Sequence, residues 1–94
     1  MFDIRRGANG EVLMSGRLDA AQVERVREEL KSQTTSCEVN FEKLDYISSA
    51  GMGVLLGVQK RLSESGNGLT LTHMNRHIRE LFNIAGFHHV FTII

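Results

Sequence analysis

The order of hydrophobic and polar residues at the start of the chain predicts a β-hairpin followed by a helix. Two short runs with strand character, residues 2–5 and 11–15, flank a segment 7–10 whose Ala-Asn-Gly turn suits a hairpin. From residue 19 onward, apolar side chains recur at helical spacing while charged residues fill the other positions. Asp19 followed by Gln22 has the pattern of a capping box, so we expect the first helix to begin there.

The next segment predicts a half-buried strand followed by a turn. In residues 37–41 polar and apolar side chains alternate, which places Cys37, Val39 and Phe41 on one face. The residues 42–46 then predict a turn. A cysteine on the apolar face of a strand is most simply a core residue, and a reactive thiol is the alternative.

Residues 47–62 predict a second helix despite their glycines. A step of about 100° per residue gathers the apolar positions of this segment on one stripe. The stripe consists of Gly51, Val54, Leu55, Val58 and Leu62. Ser48 or Ser49 caps this helix, because a serine hydroxyl accepts hydrogen bonds from the free N–H groups at a helix start.

The remaining pattern completes an alternation of strands and helices. Residues 69–72 predict a strand, Asn75 caps a third helix that ends at Gly86, and residues 90–94 predict the last strand. The predicted order is β-β-α-β-α-β-α-β, an α/β fold in a single domain of residues 1–94. Because right-handed crossovers join such strands, we expect a mostly parallel sheet with an N-terminal antiparallel hairpin and helices packed against it.

Composition and charge narrow the classes of partner. The chain has 94 residues with 11 basic and 11 acidic side chains, and the two kinds are interspersed. Nucleic-acid binders depend on a basic surface, so neither DNA nor RNA is expected as a partner. No apolar run approaches the ~20 residues that span a bilayer, which argues against membrane insertion. The N-terminus lacks the apolar segment of a signal peptide and the single cysteine cannot form an internal disulfide, so we expect a cytoplasmic location.

Motifs for catalysis and metal binding are incomplete. The serines at 48–49 lack the first glycine of a nucleophile elbow, Leu56 stands where a dinucleotide fingerprint needs its third glycine, and no Walker lysine is present. His73 would precede the third helix, which separates it from His77, and the adjacent histidines at 88–89 would point in opposite directions on a strand. We therefore expect neither enzymatic activity nor a cofactor or metal site.

The turn of residues 48–53 is the remaining candidate site. Its simplest interpretation is structural, with one serine as the cap and glycines that permit a tight strand-to-helix connection. One cap leaves the second hydroxyl free beyond the carboxyl end of a strand, where α/β proteins place functional groups. Met52 and Leu56 lie off the apolar stripe, on a face shared with Gly53 and Gly57. This arrangement predicts either a docking patch or a helix that is buried on two sides.

Three segments of the chain resemble the STAS domains, specifically the single-domain anti-sigma factor antagonists of bacteria. They are residues 15–19 (Ser-Gly-Arg-Leu-Asp), residues 44–55 around the serine turn and residues 79–86 at the end of the third predicted helix. The resemblance implies an α/β fold with four helices and a short sheet. The pattern itself predicts three helices, and residues 87–89 leave little room for a fourth.

The resemblance also implies a function without catalysis. The unphosphorylated domain would bind an anti-sigma factor serine kinase with a histidine-kinase-like ATPase fold, and so release a sigma factor or another client. Phosphorylation at the serine turn would abolish binding, and a PP2C-type serine phosphatase would restore it. The alternative is a STAS assembly or regulatory subunit of a bacterial ABC lipid-transport complex, in which the same helix docks permanently without a phosphate switch.

In the frequent form of the family's motif, the phosphate acceptor directly precedes the glycine, a position that Ala50 holds in this chain. Because alanine has no hydroxyl, the resemblance implies Ser49 as the acceptor, with Ser48 as the second choice. The expected partner-binding residues are Ser48, Ala50, Gly51, Met52, Gly53 and Leu56. Since a helix N-terminus favours anions, we expect phosphate on Ser49 to change the interface and not the stability of the helix.

Overall fold

The chain forms five strands, three α-helices and two single-turn 3₁₀ helices in a computed structural model of residues 1–94. The strands are β1 (Phe2–Arg6), β2 (Val12–Leu18), β3 (Cys37–Ile47), β4 (Leu69–Thr72) and β5 (Thr92–Ile93). The α-helices are α1 (Val23–Leu30), α2 (Ser49–Ser63) and α3 (Arg76–Ile84), and the 3₁₀ helices are Ala20–Gln22 and Phe87–His89. The order of strands and α-helices is the predicted one.

The five strands lie in one mixed sheet in the order β1-β2-β3-β4-β5. β1 is antiparallel to β2, and every later pair is parallel. Right-handed crossovers that each advance by one strand place α1, α2 and α3 on the same face of the sheet. This arrangement confirms the predicted α/β fold with its N-terminal antiparallel hairpin.

The helices and the sheet enclose one hydrophobic cluster of 21 buried residues. α1 contributes Val26 and Leu30, and α3 contributes Ile78 and Phe82. α2 contributes the four apolar side chains of its predicted stripe, and Gly51, the fifth residue of that stripe, is also buried. The helical periodicity of the sequence therefore identified the faces that pack on the sheet.

The predicted caps are also in place, although Asp19 caps the 3₁₀ helix Ala20–Gln22 and α1 itself begins only at Val23. The Asp19 side chain accepts a hydrogen bond from a backbone N–H two residues later at 3.0 Å, and its own N–H donates to the Gln22 side chain at 3.0 Å. The Asn75 side chain accepts from the Ile78 N–H at 2.8 Å and so caps α3. Gly86 follows α3 with a φ of 78°, the left-handed conformation that suits glycine after a helix.

The prediction of a turn at residues 42–46 is wrong, because β3 continues through Ile47. The buried side chains of this strand are Val39, Phe41, Leu44 and Ile47, so their spacing changes from two residues to three after Phe41. Alongside this segment the register with β2 shifts at two places, as it does at β-bulges. Each shift changes which face a position occupies, so the sequence loses the alternation that identifies a strand.

The last strand is shorter than the predicted residues 90–94. The chain before β5 turns locally, and the N–H groups of Val90 and Phe91 both donate to the Phe87 carbonyl oxygen, at 2.9 and 3.0 Å. These local hydrogen bonds replace the ladder that a longer strand would need. The fourth helix that the family resemblance implies is therefore absent, and a single 3₁₀ turn takes its place. Phe91, which follows this turn, packs edge-on against Phe82 with ring centroids 5.7 Å apart.

Cys37 begins β3 and is half-buried against the hydrophobic cluster. Burial raises the pKa of its thiol above the ordinary value, although the nearby Arg6 guanidinium acts in the opposite direction. A raised pKa keeps the thiol protonated and weakly nucleophilic, which agrees with the simpler interpretation of Cys37 as a packing residue.

Candidate functional site

The turn between β3 and α2 is fixed by Ser48. This residue is half-buried and extended, with φ −90° and ψ 170°, and its hydroxyl oxygen accepts a hydrogen bond from the Gly51 N–H at 3.1 Å. Its own N–H donates to the Leu18 carbonyl oxygen at 2.9 Å, which ties the turn to the end of β2. The structure therefore identifies Ser48 as the cap of α2, a role that the sequence left open between two serines.

Ser49 is the first residue of α2, and its environment differs from that of Ser48. It is exposed, and its hydroxyl makes no hydrogen bond to another protein group. The first turn of a helix carries a partial positive charge, because its N–H groups lack partners within the helix. An added anionic group is therefore favoured electrostatically at this position, and Ser49 has a hydroxyl available to carry one.

Gly51 lies beneath the turn and is buried. A Cβ atom at this position would lie 2.8 Å from Leu18 Cγ, 2.9 Å from Ile47 Cγ1 and 3.1 Å from the Leu18 carbonyl oxygen. Glycine thus allows the start of α2 to approach β2 and β3 closely. Gly51 is one of the residues predicted to bind a partner, but it is buried, so the structure leaves it only the role of positioning the exposed residues on either side.

The accessible residues in the first two turns of α2 are Ser49, Ala50, Met52, Gly53 and Leu56, and we refer to them as the α2 surface. Ala50 and Gly53 are exposed, whereas Met52 and Leu56 are half-buried and also pack against the hydrophobic cluster. The structure covers part of each of these apolar side chains and leaves the other part accessible, so the docking patch stays a prediction. Its accessible apolar atoms lie beside the free hydroxyl of Ser49.

Val90 lies against α2 beside Gln59, a neighbour that the sequence did not predict. The side chain of Gln59, one turn after Leu56, donates to the Val90 carbonyl oxygen at 3.1 Å and holds the end of the second 3₁₀ helix against α2. The Val90 side chain is 41% exposed. No local pattern could have placed it there, because its position depends on where β5 joins the sheet.

The opposite flank of α2 faces α1 across an open groove. Gly53 and Gly57 form part of its floor, and a Cβ atom added at either glycine would meet no atom within 4 Å. Arg27 on α1, Lys31 directly after α1 and Arg61 on α2 line the groove. These cations are already engaged, because Arg27 and Lys31 pair with glutamates of α1 and Arg61 donates to one carbonyl oxygen at the end of α1 and to another just after it.

The histidines are dispersed over several elements. His73 precedes α3 with a φ of 59°, and His77 lies on α3, so the two do not share a helix face. The rings of His88 and His89 have centroids 3.9 Å apart in the second 3₁₀ helix. No group of three or more potential metal-ligating side chains is present.

None of the helices combines the length and the apolar character needed to cross a membrane.

Solved structures with the same fold include two forms of one protein. The chain superposes on SpoIIAA of Bacillus in its phosphorylated form with a TM-score of 0.72 and 23% identity, over 100% of this chain and 91% of SpoIIAA. The match to unphosphorylated SpoIIAA, an anti-sigma factor antagonist, has a TM-score of 0.70 and 24% identity, over 89% and 83% of the two chains. At these identities the similarity establishes the fold.

A curated relative extends the similarity to the sequence. BtrV of Bordetella bronchiseptica, whose name describes an anti-sigma factor antagonist, is 36% identical over 84 residues, which cover 85% of this chain and 72% of BtrV. The family model described as "Mlab, STAS domain" matches residues 3–94. The family model and the sequence similarity cover almost the whole length of this chain, and the fold agrees with both. The chain therefore belongs to the STAS domain family.

Proposed function

We propose that this protein is a phosphorylation-switched anti-sigma factor antagonist. In its unphosphorylated form it sequesters an anti-sigma factor serine kinase with a histidine-kinase-like ATPase fold, and it thereby releases a sigma factor or another client in the cytoplasm. The observation that carries this proposal is the free, exposed hydroxyl of Ser49 on the α2 surface, beside a serine that is committed to capping. The name of BtrV and the existence of SpoIIAA in two phosphorylation states support the same function.

The physics of the site explains how phosphate on Ser49 acts as a switch. A phosphoserine carries about −1.5 to −2 charges, and the N-terminus of α2 accommodates that charge without losing its helical structure. Burying an unmatched dianion next to the accessible parts of Met52 and Leu56 is unfavourable in an interface that expects apolar contact. A penalty of about 3 kcal/mol lowers affinity by more than ~100-fold, which is sufficient to release the partner.

The remaining steps of the cycle use the same geometry. Ser49 is accessible to a kinase and to a PP2C-type phosphatase, whereas Ser48 is half-buried with its hydroxyl in the cap. Phosphorylation of Ser48 would disrupt the hydrogen bond to Gly51, so we assign Ser49 as the acceptor and keep Ser48 as the second choice. The protein itself acts by binding and not by catalysis.

The test is a capture experiment from the native host's lysate with the wild-type protein, Ser49→Asp and Ser32→Asp as baits. Ser32 is an exposed serine after α1 and serves as the matched control. We expect the wild type and Ser32→Asp to retain an ATPase-type serine kinase that mass spectrometry identifies, and Ser49→Asp to lose it. The purified kinase should then phosphorylate the wild type and not Ser49→Ala.

Two outcomes would contradict this proposal. If Ser49→Asp captures the same kinase as the wild type, Ser49 does not control binding. If all three baits instead retain subunits of a membrane-transport complex, the protein is a permanent assembly subunit.

A further inference from the structure

Arg17 lies at the carboxyl end of β2, directly opposite Tyr46 on β3. Its guanidinium carbon is 4.2 Å from the centroid of the Tyr46 ring, the geometry of a cation–π interaction. The next residue, Leu18, is fully buried under the helices, so the Arg17 side chain lies on the other face of the sheet, where it is exposed. The ring holds this guanidinium in a defined position at the protein surface.

The donors of Arg17 have no protein partner. The side chain makes no hydrogen bond and has no carboxylate within 4 Å. Arg25, the other stacked arginine, differs because it covers Phe2 while donating to the Phe2 carbonyl oxygen and pairing with Asp3. Arg25 therefore completes the fold at the edge of β1, whereas Arg17 offers all of its N–H groups to a ligand.

Arg17 belongs to the same end of the sheet as the candidate phosphate acceptor. The Leu18 carbonyl oxygen accepts the Ser48 N–H at 2.9 Å, so Arg17 and Ser49 are each one residue away from this hydrogen bond. A macromolecule that covers Ser49 and continues around the carboxyl edge of the sheet therefore reaches Arg17. Arginine and tyrosine are the residue types that most often dominate interface energies, and a pre-positioned side chain loses little entropy on binding.

We propose that Arg17, held over Tyr46, binds a carboxylate of the partner protein at the edge of the Ser49 interface. This inference rests on the proposed function and identifies the chemistry of the partner's surface. A planar guanidinium pairs with a carboxylate through two parallel hydrogen bonds, which an ammonium group cannot reproduce. A partner with negative charge at this edge is attracted by Arg17 and repelled by phosphate on Ser49, so both effects have one electrostatic origin.

The experiment measures the affinity of the purified serine kinase captured by the wild type for a series of arginine variants, by calorimetry at two salt concentrations. We expect Arg17→Ala to bind roughly 10- to 100-fold more weakly, Arg17→Lys to show an intermediate loss, and Arg17→Glu to bind more weakly than Arg17→Ala. Arg5→Ala is the control, because Arg5 is also exposed without a carboxylate partner but lies on β1, opposite the beginning of β2. Arg5→Ala should bind the kinase with the affinity of the wild type. The melting temperatures of all variants should lie within a few degrees of the wild-type value.

Exchanging the charges of Arg17 and of its partner residue then tests whether that partner residue is a carboxylate of the kinase. Replacing each acidic surface residue of the kinase by lysine in turn should identify one change that restores binding of Arg17→Glu while weakening binding of the wild type. If Arg17→Ala and Arg5→Ala bind equally well, or if no acidic position restores binding, this inference is wrong and the proposed function stands. If the wild type binds no such kinase, the proposed function itself fails.

Discussion

The buried and exposed faces of α2 follow different packing rules although they alternate along the same 15 residues. On the buried face even a single added methyl group would clash, because a Cβ atom at Gly51 would lie 2.8 Å from Leu18 Cγ. On the exposed face a Cβ atom at Gly53 or Gly57 would meet nothing within 4 Å. Glycine at the first position is therefore required by the fold, whereas glycine at the other two is not.

Under the proposed function, this difference separates the residues of α2 that determine stability from those that bind the partner. Substitutions on the buried face act on the free energy of unfolding, because they change contacts with the sheet. Substitutions on the exposed face change the accessible surface and disturb the core less, because only parts of Met52 and Leu56 pack against it. The following predictions test that separation, and they are arranged by the expected change in stability.

The largest loss is expected when a core side chain of α2 is truncated. Leu55 is fully buried, so Leu55→Ala should lower the free energy of unfolding by about 2–5 kcal/mol. Leu56→Ala is the matched control, and it should cost only about 1 kcal/mol because Leu56 is half-buried. Urea denaturation of both variants measures the difference. An equal loss at the two positions would mean that Leu56 is a core residue and not part of an accessible surface.

A smaller loss is expected from the addition of one methyl group at Gly51. The three close approaches to Leu18 and Ile47 mean that Gly51→Ala must displace α2 or these neighbours, at a cost of about 1–3 kcal/mol. The readout is again the denaturation midpoint, with the slope of the transition as a check on two-state behaviour. An unchanged midpoint would show that the start of α2 can move away from the sheet without loss.

The two serines provide the next comparison, because the same chemical change is made at adjacent positions. Ser48→Ala removes the hydroxyl that accepts the Gly51 N–H and should cost about 1 kcal/mol. Ser49→Ala should leave stability within about 0.5 kcal/mol of the wild type, since its hydroxyl bonds no protein group. Thermal unfolding of both variants measures the two losses of stability. A larger loss at Ser49 than at Ser48 would reverse their assignment as acceptor and cap.

Much of this helix could be predicted from the sequence. The apolar stripe of α2 is a local property with a fixed period, so it identified the buried face without knowledge of the sheet. The sequence could not decide which serine caps α2, because Ser48 and Ser49 are chemically alike. They differ in the backbone conformation, which places only the Ser48 hydroxyl near the Gly51 N–H. That difference depends on the connection to β2 through the Leu18 carbonyl oxygen.

Features that depend on strand register could not be predicted in this way. The extension of β3 through Ile47 was hidden by two register shifts against β2, which interrupt the alternation of buried positions. The same register brings Arg17 opposite Tyr46, two residues that are far apart in the chain and show no local pattern. Sequence periodicity thus predicted the elements, and the pairing of strands determined which side chains meet at the site.

The smallest effect, and the only expected gain, concerns the exposed glycines. Gly53→Ala and Gly57→Ala should each raise the free energy of unfolding by about 0.4–1 kcal/mol, because alanine restricts the unfolded chain and favours the helix while its methyl group enters open space. The gains should add, since a Cβ atom at either glycine meets no neighbour through which the two changes could couple, and the double variant should unfold at a higher urea concentration than either single variant. A loss of stability at either position would mean that the groove between α1 and α2 closes in solution. A gain at both would show that the fold does not require these two glycines, in contrast to the glycine that lies against Leu18.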